Sequence, residues 1–265
     1  FAYVDNDTHT TAAYLATEGF FPMLFEHYYG STLLSVPVLV QIAELGGPTL
    51  TTLAIMLPAG ALYDVLSARS RKEPMPRLGP ALAAGYLVFA VGFGAWRLVD
   101  GAARAEAAPH LTIGIVQPNL GLFDRAVSPR EALRAEVDAT LELERTAHPD
   151  LVVWPESSVL FWLDDATNVR RLILPGVSTP VLFGGIRHGE EVDGRELEHN
   201  TAFLADANGD VVGTYDKTYL LAFGEYLPFG DVFPELYDIS TSSGRFSPGD
   251  DVTPLELTTA DGASY

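Results

Sequence analysis

The chain contains no cysteine, so these residues supply no disulfide, no thiolate metal site and no cysteine nucleophile. Bases are scarce: 16 Lys and Arg stand against 35 Asp and Glu, for a formal net charge of -19. Without a basic footprint, a general nucleic-acid binder is excluded. Lysine is the scarcest base, with only Lys72 and Lys217 in the chain. Apolar residues are not scarce. At 48% hydrophobic and 19% charged, the sequence is neither disordered nor collagen-like. Its 265 residues suit one large domain or two smaller ones.

The charge is uneven. Residues 1–109 hold nine acids and six bases, and residues 110–265 hold 26 acids and 10 bases. The long apolar runs lie in the first part. Leu78–Val99 carries one charge, Arg97, near its end, and a helix of that length spans a hydrocarbon core. Pro48–Leu66 carries only Asp64 and is expected to kink at Pro58. Leu33–Leu45 is too short to cross alone and reads as interfacial or re-entrant. Between the two spans, Ser67–Arg77 holds four bases against Glu73 and reads as a cytoplasmic loop. That orientation sends Leu78–Val99 outward and puts residues 110–265 on the extracytoplasmic side. The small-residue stretch Ala102–Ala108 reads as a linker between a membrane region, 1–109, and an outer domain, 110–265.

The outer part alternates strand and helix signals. Leu111–Gln117, Leu151–Trp154 and Val181–Ile186 read as strands. Ser128–Thr146 reads as a helix, with Ser128 at the N-cap, Pro129 in the first turn and Leu133, Val137 and Leu141 spaced by four. Thr201–Asp206 and Val211–Tyr215 flank Asn208–Gly209, a hairpin turn signal. The pattern predicts an α/β domain with helices over a central sheet.

Few residues are placed for chemistry. Glu156 closes Val-Val-Trp-Pro-Glu at the end of a buried-type strand, where α/β folds place ligands. Burial there would raise its pKa and suit it to general-base work, or it caps the following turn. Lys217 is either an oxyanion-stabilising ammonium or a solvated hairpin lysine. Glu225, in Phe-Gly-Glu-Tyr, is either a second site carboxylate or a turn charge. His110, His148, His188 and His199 show no metal-ligand spacing and read as structural or exposed. The aromatics Phe161, Trp162, Phe223, Tyr226 and Phe229 form either a lipid-facing lip or ordinary core.

Taken in order, these motifs are more specific. Val-Gln-Pro-Asn, Val-Val-Trp-Pro-Glu-Ser, His-Asn-Thr-Ala-Phe-Leu and Tyr-Asp-Lys-Thr-Tyr-Leu-Leu-Ala-Phe-Gly-Glu-Tyr-Leu-Pro resemble the nitrilase, or carbon–nitrogen hydrolase, superfamily. The nearest branch is the apolipoprotein N-acyltransferase family of bacterial membrane enzymes. Val38–Gly47 and the spans after it resemble that branch's membrane helices. The resemblance implies an α-β-β-α sandwich carrying a Glu–Lys–Cys set and needing no cofactor or metal. Glu156 matches the general base, Lys217 the oxyanion-stabilising lysine and Glu225 a further carboxylate. Trp154, Phe223 and Tyr226 fall where substrate would be held. Implied partners are a phospholipid acyl donor, a diacylated apolipoprotein acceptor and the lipid bilayer, with no nucleic acid. The implied location is the inner membrane, multi-pass. Tyr219 and Ala222 stand where the branch usually has His and Pro. The cysteine and a final membrane helix are missing, so the chain is expected to be a truncated piece, inactive alone. A membrane-tethered amidase and a non-catalytic binding protein are the competing readings.

Overall fold

A computed structural model describes residues 28–121, 128–163, 168–192, 195–240, 243–259 and 262–265. The chain divides after Pro109 into two compact units.

In the first unit, the short apolar segment before the long helices is broken. It forms a 3-10 turn, Tyr29–Ser35, and two four-residue helices, Pro37–Val40 and Ala43–Gly46. Helix α1, Pro48–Arg71, starts with proline at its first position, where the missing N–H costs nothing. It continues through Pro58 and stops at Lys72, which adopts the left-handed conformation. Helix α2, Leu78–Ala107, follows. Both are long and apolar enough to cross a membrane. Leu62, Leu66, Val88 and Val99 are exposed along them, as side chains facing lipid would be. Arg97 is paired with Glu44 and Asp100, which keeps its guanidinium from standing unpaired in an apolar unit.

Two boundaries differ from the sequence reading. The stretch expected to be a linker, Ala102–Ala108, is helical to Ala107. Alanine is the best helix former, so a small-residue run extends a helix unless glycine or proline interrupts it. The basic loop expected at 67–77 begins as helix up to Arg71. Arginines in the last turn favour the helix C-terminus.

The second unit is built on one sheet. Strands β1 (Ile113–Ile115), β2 (Leu151–Val153), β3 (Trp162–Leu163), β4 (Val181–Val192), β5 (Arg195–Ala205) and β6 (Val211–Asp216) belong to it. Its order is β1-β2-β4-β5-β6, with β3 also paired to β4. The β1, β2, β3 and β4 pairings are parallel, and β4-β5 and β5-β6 are antiparallel. Helix α3, Pro129–Ala147, packs Val137 and Leu133 onto the core. Phe183 and Phe203 stack at 5.4 Å between centroids, with Trp154 against Phe183 at 6.1 Å.

The α/β class and the apolar helices preceding the sheet are as expected. Strand β4 runs six residues past Ile186, where the sequence reading ended it. Arg187–Val192 is largely polar and lacks the apolar alternation that marks a strand, yet its backbone still pairs with β5. The hairpin turn falls where Asn208–Gly209 predicts it. Gly209 has φ 80° and its N–H donates to Asp206 O at 2.9 Å. The Glu144 carboxylate accepts the Ser178 and Thr179 N–H groups, both at 2.6 Å, and so ties α3 to the approach to β4.

Candidate active site

Four polar side chains converge at one end of this sheet, each delivered by a different element. Trp154 N–H donates to Leu182 O at 2.9 Å and extends the parallel ladder past β2. The chain then turns sharply through Glu156 and Ser157, whose φ is 56°. Gly184 lets this turn lie on β4. A Cβ there would sit 2.7 Å from Ser157 N and 2.9 Å from Glu156 Cα. Glu156 thereby leaves the carboxyl end of a parallel strand, the usual ligand position in such sheets.

Asn200 lies within β5, opposite Ile186. Lys217 follows the last residue of β6, and its N–H donates to Asn200 O at 2.8 Å. Glu225 sits in the loop beyond. Its N–H donates to Leu221 O at 2.8 Å, and its Oε2 accepts the Leu221 N–H at 2.8 Å. Phe223, at φ 65°, donates its N–H to Tyr226 O at 2.7 Å. These bonds fold the Phe-Gly-Glu-Tyr loop back on its own carboxylate.

The side chains interlock. Asn200 Nδ2 donates to Glu156 Oε1 and to Glu225 Oε1, both at 2.7 Å. Lys217 Nζ lies 3.0 Å from Glu225 Oε1, 2.9 Å from its Oε2 and 3.5 Å from Glu156 Oε1. One ammonium and one amide thus hold two carboxylates at one point.

Burial is graded across the set. The Glu225 side chain is 14% exposed, Lys217 36% and Glu156 64%. For Glu225, burial pushes the carboxyl pKa up, but the Leu221 N–H, Lys217 and Asn200 outweigh it and hold it below the ordinary value. For Lys217, burial pulls the pKa down, but the bond to Glu225 and the charges of Glu156 and Glu225 outweigh that and raise it. At neutral pH Lys217 is therefore an ammonium and Glu225 a carboxylate. Glu225 is the anchored member, and Glu156 is the one open to solvent.

The structure brings Glu156, Lys217 and Glu225 together. The expected burial of Glu156 is not found, because the turn after β2 projects it outward. Trp154 does not face the cluster. It is 4% exposed, and its indole N–H donates to Thr140 Oγ1 on α3 at 2.8 Å. Strand alternation sends it into the core while Glu156, two residues on, sits beyond the strand in the turn. Phe223 is exposed and Tyr226 half-buried beside Glu225. Phe229 is exposed and Phe161 sits at the border of exposure, while the Trp162 side chain lies outside the described residues. Asn200 was not singled out from the sequence. The signal was present in His-Asn-Thr-Ala-Phe-Leu, but an asparagine inside a strand has no pattern to separate it from an edge residue.

No protein-family profile matches the chain. It is 32% identical over 243 residues to an apolipoprotein N-acyltransferase of Agrobacterium fabrum, covering 86% of this chain and 44% of that protein. It is 28% identical to the apolipoprotein N-acyltransferase of Brucella suis, over 89% of this chain and 45% of the relative. Against that of Rhizobium meliloti it is 34% identical over 59% of this chain and 30% of the relative. The chain thus spans less than half the length of these curated relatives. Among solved structures, an amidase from Nesterenkonia sp. overlaps 58% of this chain and 53% of its own, at 19% identity and a TM-score of 0.34. A carbon–nitrogen hydrolase from Helicobacter pylori overlaps 53% of this chain and 45% of its own, at 17% identity and a TM-score of 0.31.

Proposed function

We propose that this chain is part of an apolipoprotein N-acyltransferase, a membrane enzyme that moves a fatty acyl chain from a phospholipid to the α-amine of a lipoprotein's diacylglyceryl-cysteine. The observation that carries this reading is the Glu156–Asn200–Lys217–Glu225 cluster, in which three separate segments place an ammonium between two carboxylates. The similarity to proteins of that name supports the acyl-transfer chemistry over other uses of such a cluster.

The nucleophile is a cysteine thiolate from outside these 265 residues, which contain none. Glu156, the exposed carboxylate, takes the thiol proton. The thiolate attacks the ester carbonyl, and Lys217 stabilises the oxyanion that forms. Collapse of the tetrahedral species breaks the ester bond, and Glu156 returns its proton to the departing lysophospholipid alkoxide. A thioester remains. The lipoprotein amine then attacks the thioester. Its proton passes by way of Glu156 to the leaving thiolate as the amide forms. Glu225 does not react in this scheme. Anchored by Leu221 N–H and Asn200, it holds Lys217 charged and aimed. No cofactor enters the scheme.

Both substrates are lipids, and helices α1 and α2 suit an enzyme that meets them in a bilayer. The basic run between the helices favours a cytoplasmic connection, with the acidic second unit on the extracytoplasmic face of the inner membrane. The exposed Phe223 and Phe229 suit contact with acyl chains.

The test uses the full-length protein in detergent micelles, a phospholipid with a labelled acyl chain and a synthetic diacylated lipopeptide. The expected result is a labelled lipopeptide heavier by one acyl group, with ping-pong kinetics. Release of ammonia or free acid from simple amides, with no acylated lipopeptide, would point to an amidase. Lipopeptide binding without turnover, unaffected by changing Glu156 or Lys217, would point to a binding protein.

A further inference from the structure

The cluster has a second, half-buried counterpart on the other face of the same strands. The pleat sends Asp216 and Lys217 to opposite faces. Lys217 meets Asn200 and the two carboxylates. Asp216 meets Thr201, its partner in the β5-β6 register, and Arg187 of β4. Thr201 Oγ1 donates to Asp216 Oδ1 at 2.6 Å, and Arg187 Nε donates to the same oxygen at 3.1 Å. A second guanidinium nitrogen of Arg187 binds Asp216 Oδ2, making the pair bidentate. Asp216 and Arg187 are 15% and 21% exposed, and Thr201 is 1% exposed. His199 is the other titratable group facing this carboxylate, with Nδ1 4.0 Å from Oδ2 and 3.0 Å from Ser247 O.

The segment after the site closes the arrangement. Ser247 N–H donates to Glu198 O at 2.7 Å, and Gly249 N–H donates to Lys217 O at 3.0 Å. Gly249 lies so close that a Cβ there would stand 2.5 Å from Asp216 O. The backbone of Lys217 is thus gripped on both sides, at its N–H and at its carbonyl. Asn200 O holds the Lys217 N–H, Gly249 holds the Lys217 carbonyl, and Arg187 with Thr201 holds the side chain one residue earlier.

We propose that Asp216, clamped by Arg187 and Thr201, is a positioning residue that fixes the direction of Lys217 toward Glu156 and Glu225. Its role in turnover rests on the acyltransferase reading above; its role in placing the ammonium does not. Past β6 the backbone of Lys217 is held by the Asn200 carbonyl and the Gly249 N–H, which fix its main chain but do not aim its long flexible side chain. A fixed carboxylate one residue earlier supplies that aim without touching substrate. A displacement of about an ångström at a reacting group costs up to about a hundredfold in rate, so a device of this kind matters to turnover.

The experiment reads Lys217 directly. The full-length protein is prepared with lysine labelled at the ε-carbon, and the Lys217 signal is assigned by its loss in K217R. In D216A the signal is expected to move toward that of a solvent-exposed lysine. Its titration is expected to fall back toward the ordinary lysine value as the ammonium leaves the two carboxylates. In the acyl-transfer assay, kcat is expected to drop at least about tenfold with KM for the phospholipid within about twofold. D216N, which still accepts from Thr201, is expected to recover part of the signal position and of kcat. A folded D216A with the wild-type Lys217 signal and titration overturns the proposal. Where D216A does not fold, R187Q decides. It removes the bidentate half of the clamp on Asp216, and a Lys217 signal unmoved in it overturns the proposal equally. An inactive wild-type enzyme counts against the acyltransferase reading, while the lysine signal still decides this one.

Discussion

Lys217 Nζ sits 3.0 and 2.9 Å from the two oxygens of Glu225 but 3.5 Å from Glu156, so the ammonium is held by one carboxylate and offered to the other. The asymmetry follows burial. Glu225 is enclosed and fixed by Leu221 N–H and Asn200, while Glu156 stands at the solvent edge. A reaction needing one carboxylate to move protons and another to stay ionised is served by that difference.

On the proposed mechanism, substituting Lys217 by Met should remove oxyanion stabilisation while leaving the fold. Acyl-enzyme formation in the full-length protein should fall by about 10²–10³, the usual effect of losing one such donor. E156Q should fall by about 10²–10⁴, as for loss of a general base. Single-turnover release of lysophospholipid measures both.

The stability contributed by the Lys217–Glu225 pair should depend on pH at both ends. Glu225 has a lowered pKa when folded, so its contribution is complete above the unfolded carboxylate value, about 4.3, and is lost as pH falls through the folded value. Lys217 has a raised pKa, so its contribution is complete below about 10.4 and is lost as pH rises through the folded value. The difference in unfolding midpoint between the wild type and K217M should be flat across neutral pH and shrink on both sides. A difference that grows toward acid would contradict the assignment.

Thr140→Val should destabilise the second unit without touching the site. It leaves the buried Trp154 indole N–H without its acceptor, at a cost of about 1–3 kcal/mol. Denaturant unfolding of T140V should show this loss, and W154F/T140V should cost less than the separate effects added together.

Gly184→Ala should act on the turn carrying Glu156. The added methyl would lie 2.7 Å from Ser157 N, against backbone that cannot swing aside as a side chain does. The turn must lift and Glu156 with it. Acyl transfer should fall about tenfold or more while the Lys217–Glu225 contact persists. Wild-type activity in G184A would show that the turn's position is not critical.

These 265 residues contain no cysteine, so topology can be tested by single-cysteine labelling once the catalytic cysteine proposed to lie outside them is replaced by serine. Single cysteines at Ser70, beside the basic loop, and at Ser178, in the second unit, should label from opposite sides of the membrane in intact and lysed cells. Labelling of both from the same side would remove the orientation inferred from the basic run.

Much of the second unit was legible in the sequence because its signals are local. The four-residue spacing of Leu133, Val137 and Leu141 marks α3, and Asn208–Gly209 marks the hairpin. Glu156, Lys217 and Glu225 each left a structural alternative open when read singly, and only the order of motifs resembling the nitrilase superfamily drew them together. The helical run to Ala107 and the polar half of β4 were missed for the converse reason. One is a composition that also suits linkers, and the other is a strand without apolar alternation.

By itself the sequence determined the two apolar helices, the α/β class and the acidic character of residues 110–265, since length, periodicity and composition are properties of neighbouring residues, while a family resemblance pointed to Glu156, Lys217 and Glu225. Only the tertiary structure decided which charges meet. It carried Trp154 into the core, left Glu156 at the surface, and placed Asn200 and the Arg187–Asp216 pair on opposite faces of the same strands. The physical reason is that burial and partnership come from strands far apart in the chain, and strand pairing, with the face each residue then occupies, is set by packing across the whole sheet.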